Sequence, residues 1–227
     1  MGRRKYTPEE RVRIIASFIK AAAQIIDEDG ADQVSIRKVA ALAGYNSATM
    51  YLYFKDIDEL VTLSCVSYLE GYCRELAADA DLMQTDLQTY FHTWEVFCRY
   101  AFSQPQIFNH LFFGSHSVPL NEIVDRYYRI YPDFLDSLDG TVHDMLLQGD
   151  LSDRNLQVLR PLVGDGVVAA DKLELVNSLT LGYFRTLLEE RCREVSGKAT
   201  PEDPVPDDAA RLATERFMDA AHYILDR

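Results

Sequence analysis

Residues 45–54 read YNSATMYLYF. Four small or polar residues, Asn46, Ser47, Ala48 and Thr49, precede three aromatics, Tyr51, Tyr53 and Phe54. Asn46 is a favoured helix N-cap, so the stretch predicts a short helix, slim at its front and aromatic at its back, ending near Phe54. Just upstream, a helix predicted from a Ser35 cap through Ile36, Val39, Ala40 and Ala43 stops at Gly44. Ala40, Gly44 and Met50 stand four and six residues apart. A small residue lets two helices approach, a glycine carries the chain through the tight turn, and an apolar residue locks the second helix onto the first. The pattern predicts a helix-turn-helix whose second helix enters the major groove with its N-terminal residues toward base edges. Met50 and Phe54 then face inward, while Tyr51 and Tyr53 can set hydroxyls on phosphates. A plain helix hairpin in an all-α core is the competing reading.

Charge placement favours the first reading. The chain has 227 residues and a formal net charge of -13. Residues 1–55 hold nine Lys/Arg against six Asp/Glu, and residues 56–227 hold fourteen against thirty. Only the front end is suited to a polyanion. No run of eighteen apolar residues predicts a membrane span, and MGRRKYTPEE has no apolar segment behind its basic residues, so no secretory leader is expected. Cys65, Cys73, Cys98 and Cys192 are scattered and fit reduced thiols in a cytoplasmic protein. The five histidines, His92, His110, His116, His143 and His222, show no metal-ligand spacing, and no nucleophile motif or phosphate loop is present. No metal, cofactor or enzymatic activity is expected.

The rest reads as helix throughout. Thr7, Pro8 and Glu10 form a capping box with Pro at the first helical position, and Gly30 ends that helix. A fourth helix is predicted from Asp56 to about Ala80, a fifth over 86–103, a short one from Pro105, a long one over 120–148 kinked or broken at Pro132, a shorter one near 153–163, and long ones over 169–195 and 207–227. Residues 196–206, SGKATPEDPVP, read as a linker. The expected architecture is all-α: a three-helix DNA-binding domain over 1–55, then a helical effector-binding and dimerisation domain over 56–227.

The stretch SIRKVAALAGYNSATMYLYFKDIDEL, residues 35–60, resembles the TetR family of bacterial transcriptional regulators. It carries that family's capped helix, Ala–x–x–Ala–Gly turn, short recognition helix and Y-x-Y-F ending. With the preceding helix, the likeness covers about the first quarter of the chain. It implies that Ser35 and Arg37 touch phosphate, that Asn46, Ser47, Ala48 and Thr49 face the groove with Tyr51 beside them, and that Tyr53 and Lys55 hold the DNA backbone. Arg3, Arg4 and Lys5 would form a basic arm. One position departs: where the family commonly has Lys, this chain has Ile57, flanked by Asp56, Asp58 and Glu59. Residues 46–52 contain no Arg or Gln, so guanine forks from this helix are excluded, and modest, salt-sensitive affinity is expected.

The resemblance further implies a homodimer through residues 169–195 and 207–227, on a palindromic double-stranded DNA operator, with release by a small-molecule effector. Candidate dimer contacts are Leu173, Val176, Leu179, Tyr183, Leu187, Leu212, Phe217, Ala221 and Ile224. Aromatics crowd residues 90–134, and Tyr90, Trp94, Phe97, Phe108, Phe112, Tyr127 and Tyr131 are the candidate effector pocket. Glu95 is the odd acid among them, read as counter-charge to a cationic, lipophilic ligand. The alternative to a repressor is a ligand-binding or partner-regulated all-α module with a weakened helix-turn-helix.

Overall fold

The structure is a computed structural model and describes residues 6–115, 120–135, 150–197 and 208–225. Among them there is no strand. The first helix, α1 (Pro8–Asp29), begins as its sequence requires: the Thr7 hydroxyl accepts from the Glu10 N–H, and the Glu10 carboxylate accepts from the Thr7 N–H. It buries Ile14, Phe18, Ala22 and Ile25 and stops at Gly30, φ 93°. Helix α2 (Ile36–Ala43) is capped by Ser35 and closes in a Schellman turn, with Tyr45 N–H donating to the Ala40 carbonyl and Gly44 N–H to that of Ala41. Gly44 sits at φ 77°, ψ 25°, where a Cβ is strained. Helix α3 (Ser47–Met50) is shorter than the aromatic run suggested. Residues 51–53 continue as a turn that brings Phe54 under Phe18, rings 5.9 Å apart.

The expected single helix from 56 to 80 is two. Helix α4 (Ile57–Cys65) passes through a 3₁₀ turn, Val66–Tyr68, into α5 (Leu69–Asp79). Hydroxyls near the break explain it: Thr62, Ser64 and Ser67 donate to the carbonyls of Asp58, Leu60 and Ser64, and such back-bonding bends helices. Helix α6 (Asp86–Ser103) and α7 (Pro105–Phe113) fall where expected, with Pro105 opening the second. The long helix expected from 120 breaks at Tyr131. Helix α8 (Leu120–Ile130) is followed by α9 (Pro132–Leu135), because a proline ring clashes with a preceding helical turn. The rest of that prediction lies outside the described residues.

Helix α10 (Leu151–Leu159), α11 (Pro161–Gly164), α12 (Leu173–Gly197) and α13 (Ala209–Leu225) complete the chain. Helix α12 runs two residues into the stretch read as a linker, and 198–206 lies outside the described residues. The aromatic α6 is central, packed by α13, α5, α7, α10 and α12. At its crossing with α5, a Cβ on Gly71 would stand 2.7 Å from Tyr100 Cε1, so any larger residue there must displace the Tyr100 ring. Leu175, Leu179, Leu212 and Tyr223 stay exposed on α12 and α13. Val176, Leu187, Phe217 and Ala221, expected at a dimer contact, instead lie in the chain's own core. The aromatic side of α6 claims them: the Phe217 ring is 4.8 Å from that of Trp94.

Candidate functional site

The front of the molecule is a thin polar helix on an apolar base. Met50 and Phe54 are buried against Phe18, Val39 and Ala40, while Asn46, Ser47, Ala48, Tyr51 and Leu52 are exposed. Asn46 Oδ1 accepts from both the N–H and the hydroxyl of Thr49, at 2.9 and 3.1 Å. That oxygen is committed to the cap, so Asn46 offers its amide N–H donors outward. A bidentate adenine contact, which needs donor and acceptor together, is therefore closed to it. Thr49 is half-buried, its hydroxyl turned to Asn46 rather than outward. Ser35 caps α2, and Arg37, Lys38 and Lys55 are exposed, with Lys38 3.3 Å from Asp29. Tyr53 is half-buried. Arg3, Arg4 and Lys5 lie outside the described residues.

The acids beside Ile57 turn out to have partners behind this face. Asp56 caps α4 by accepting from Glu59 N–H. Asp58 accepts from the Ser115 hydroxyl at 3.0 Å. Glu59 accepts from the Lys55 N–H and, at 2.6 Å, from Arg126 of α8. Arg126 also donates to the Tyr53 carbonyl at 2.6 Å and lies over the Phe54 ring, 5.1 Å from its centroid. One guanidinium thus grips the end of the helix-turn-helix and the start of α4 together. Lesser ties run beside it: the Tyr131 hydroxyl donates to the Ala16 carbonyl at 3.4 Å, and Thr62 bonds His110 at 3.0 Å.

A cavity of ≈ 30 Å³ lies between α5, α6 and α10. Trp94 and Phe97 wall it from α6, Tyr72 from α5, and Arg154, Asn155 and Val158 from α10. The Trp94 Nε1–H donates to Asn155 Oδ1 at 2.8 Å, Asn155 Nδ2–H to Asn177 Oδ1 at 2.7 Å, and Asn177 Nδ2–H to Ser152 Oγ at 2.8 Å. This amide chain joins the cavity wall to α12. Burial lowers the Arg154 pKa from its ordinary value, with Asp150 among the groups opposing that shift. Burial also pushes the Tyr90 hydroxyl up to about 12, against its bond to Thr180.

Of the expected pocket residues, Trp94 and Phe97 line this cavity, and Phe112 lies 5.7 Å beneath the Arg154 guanidinium. Tyr90 and Phe108 are core, fully buried. The Tyr127 and Tyr131 rings lie 4.9 Å apart at a tilt of 41°, and Tyr131 bonds the Ala16 carbonyl, so this pair belongs to the contact of α8 with α1. Glu95 is a correction: one residue on from Trp94, it is turned about 100° around the helix, stands exposed and lines a surface groove with Arg99 and Arg211. The cavity's charge is a cation, not an anion. Arg154 and Asn155 were legible: at three and four residues past Leu151 they fall on α10's apolar face. A second, open cleft of ≈ 480 Å³ lies at the domain seam, lined by Asp32, Asp58, His110 and Cys192 among others.

Among the described residues no helix is long and apolar enough to cross a membrane. A family model described as bacterial regulatory proteins, tetR family, matches residues 18–62. No curated protein sequence matches the chain. Among solved structures, RolR in complex with the ligand resorcinol is 14% identical, covering 97% of this chain and 95% of its own at a TM-score of 0.59. FadR of Thermus thermophilus, a TetR-family transcriptional repressor in complex with lauroyl-CoA, is 16% identical over 91% of this chain and 92% of its own, TM-score 0.55. At such identities the likeness bears on the fold. The helix-turn-helix domain of this chain belongs to the TetR family of bacterial regulatory proteins, and the all-α fold that continues from it is one shared with these two solved structures.

Proposed function

We propose that the protein is a dimeric, ligand-responsive transcriptional regulator of the cytoplasm, a repressor released from its operator when a small molecule binds the cavity beside Trp94. Residues 1–55 would read DNA, and residues 56–227 would bind the effector and dimerise. The observation that carries this reading is the pairing of an exposed, slim reading helix with a guanidinium clamp from the effector domain: Arg126 holds both the Tyr53 carbonyl and Glu59. A reader so tied to a second domain can have its tilt set by that domain.

On the operator, Ser47, Ala48, Tyr51 and the Asn46 amide would meet base edges, and Ser35, Arg37, Tyr53 and Lys55 the phosphates, with the basic residues Arg3, Arg4 and Lys5 alongside. One short helix reads too few bases alone, so a twofold partner is needed. Exposed Leu175, Leu179 and Leu212 on α12 and α13 supply an apolar face for it. An effector that parts the cavity walls would favour a recognition-helix spacing that no longer fits successive major grooves. Both relatives with bound ligands support an effector role for the second domain: one holds resorcinol, the other lauroyl-CoA. The alternative, a module with a weakened helix-turn-helix, rested on Ile57 and its acids. Those acids have capping and clamping partners, which leaves it little support.

The test is selection of random duplexes at two salt concentrations. Enrichment of a palindrome with half-sites about one helical turn apart, roughly 34–36 Å, is expected. No enrichment even at low salt would refute the DNA-reading function.

A further inference from the structure

The open cleft at the domain seam has a chemistry of its own. One bank is the link between α1 and α2 with the start of α4, where Val34, Ile57 and Val61 give it an apolar side. The other bank is α7 and the end of α12, which bring His110 and Cys192. Its ≈ 480 Å³ is within the range of small-molecule sites, and such sites form preferentially at domain interfaces. Two acids, Asp32 and Asp58, line it, and no Lys or Arg does among the described residues. Asp32 is exposed, and its carboxylate has no hydrogen bond or ion pair among the described residues. The half-buried Asp58 carboxylate accepts one bond, from the Ser115 hydroxyl at 3.0 Å, which leaves its other oxygen for a ligand. The Thr62 hydroxyl donates to the Asp58 carbonyl at 2.7 Å, so toward His110 Nε2, 3.0 Å away, it accepts. In the neutral imidazole Nδ1 is then a further acceptor. Two carboxylates and an imidazole acceptor in a cleft with an apolar side suit a donor-bearing cation attached to an apolar body.

We propose that the seam cleft binds a small organic amine, its ammonium drawn by Asp32 and Asp58 and its apolar body against Val34, Ile57 and Val61. This site is separate from the cavity beside Trp94, with which it shares no lining residue, and it does not rest on the effector reading of that cavity. A ligand here touches the DNA-reading domain through Asp32 and Val34, α4 through Ile57 and Asp58, and α12 through Cys192. It joins the reader to the helix that carries Leu175 and Leu179, so the amine is a second regulator, acting at the joint between the domains.

Cys192 supplies a local readout, because it is the one of the four thiols that is not buried and it lines the cleft. The full-length protein is titrated by calorimetry at pH 8 with 2-phenylethylamine, 2-phenylethanol and 3-phenylpropionate, and the rate of Cys192 modification by a disulfide reagent is followed alongside. The amine, an ammonium at this pH, is expected to bind about tenfold tighter than the alcohol or the acid and to slow Cys192 modification. Asp32→Asn with Asp58→Asn should weaken the amine about tenfold and leave the alcohol unchanged. Asp32→Asn alone, at an exposed position with no bond to lose, should weaken it about threefold and keeps the test open if the double variant does not fold. A melt on each variant shows that it is folded. Equal binding of the three compounds, no binding of the amine, or an amine affinity unchanged by these substitutions overturns the proposal. Trp94, the chain's single tryptophan, reports the other cavity through its emission. An amine that shifts this emission and leaves Cys192 unprotected sits there instead, and the seam assignment falls while the effector cavity stands.

Discussion

Replacing Arg126 with methionine tests the link between the two domains. Methionine keeps the apolar stem and removes the guanidinium, with its bonds to Glu59 and the Tyr53 carbonyl and its place over Phe54. Hydrogen bonds to charged groups contribute about 1.5–3 kcal/mol each. The Arg126 and Glu59 side chains are 30% and 20% exposed, so screening discounts the sum, and a net loss of about 2 kcal/mol is the working figure. For a domain of this length that lowers the melting temperature by about 4–8 °C. If the clamp also transmits the effector signal, the ratio of operator affinities without and with effector should shrink by up to about 30-fold, the equivalent of 2 kcal/mol. Glu59→Gln should cost less, since it removes only one of the contacts that Arg126→Met removes, and the double variant should lose little more than Arg126→Met alone. The assay is fluorescence-anisotropy titration of the selected palindrome with and without an effector identified through Trp94. A lower melting temperature with an unchanged affinity ratio would refute the transmitting role. Fully additive losses in the double variant would refute the pairing itself.

Other consequences follow from single contacts. Asn46→Ala should cost about 1 kcal/mol, because Thr49 loses its cap. Asn46→Ser restores the cap without the amide, so reduced operator affinity in both variants by anisotropy shows that the amide reads DNA, and reduction in the alanine variant alone shows that it does not. Leu175→Asp with Leu179→Asp should convert a dimer to a folded monomer by light scattering and circular dichroism; a persistent dimer would exclude this face. The Cys192 thiol is pushed up to about 11 from 9.0 by burial, then by Asp32 and Glu189. A raised thiol pKa favours the neutral form, so at pH 8 its reaction with a disulfide reagent should be roughly 100-fold slower than in denatured protein, gaining speed as pH rises toward 11. Gly71→Ala should destabilise the α5–α6 crossing by about 1–3 kcal/mol in a denaturant melt, since the Tyr100 ring must shift.

Local rules were most readable where one residue type answers one backbone need. Thr7, Ser35, Asn46 and Asp56 cap the helices they precede, and Gly44 takes the left-handed turn. These interactions lie within five residues, so sequence spacing displays them. The break between α4 and α5 was harder to see. It depends on three hydroxyls choosing carbonyls over water, and apolar periodicity runs straight through it. Four of the dimer candidates, Val176, Leu187, Phe217 and Ala221, are core for a related reason. Periodicity marks an apolar stripe without saying what covers it, and a central α6 took Phe217 and Leu187 for the chain's own core. Leu179 and Leu212, which were among the expected contacts, stay exposed, and Leu175 and Tyr223, which were not, stand exposed on the same two helices.

The charge pattern shows most clearly what sequence alone leaves ambiguous. An acidic run beside a DNA-reading helix suggests repulsion of phosphate when read along the chain. In three dimensions each of the three acids at 56, 58 and 59 has a donor on its far side: a helix N–H, the Ser115 hydroxyl and the Arg126 guanidinium. Ile57, where the resembling family carries a cation, is half-buried at the same seam and lines its cleft with Val61. The start of α4 therefore serves the joint between domains more than the DNA backbone. On this account weak phosphate gripping and firm mechanical coupling have one cause. The residues that could have strengthened binding instead hold the reader to the domain that would move it.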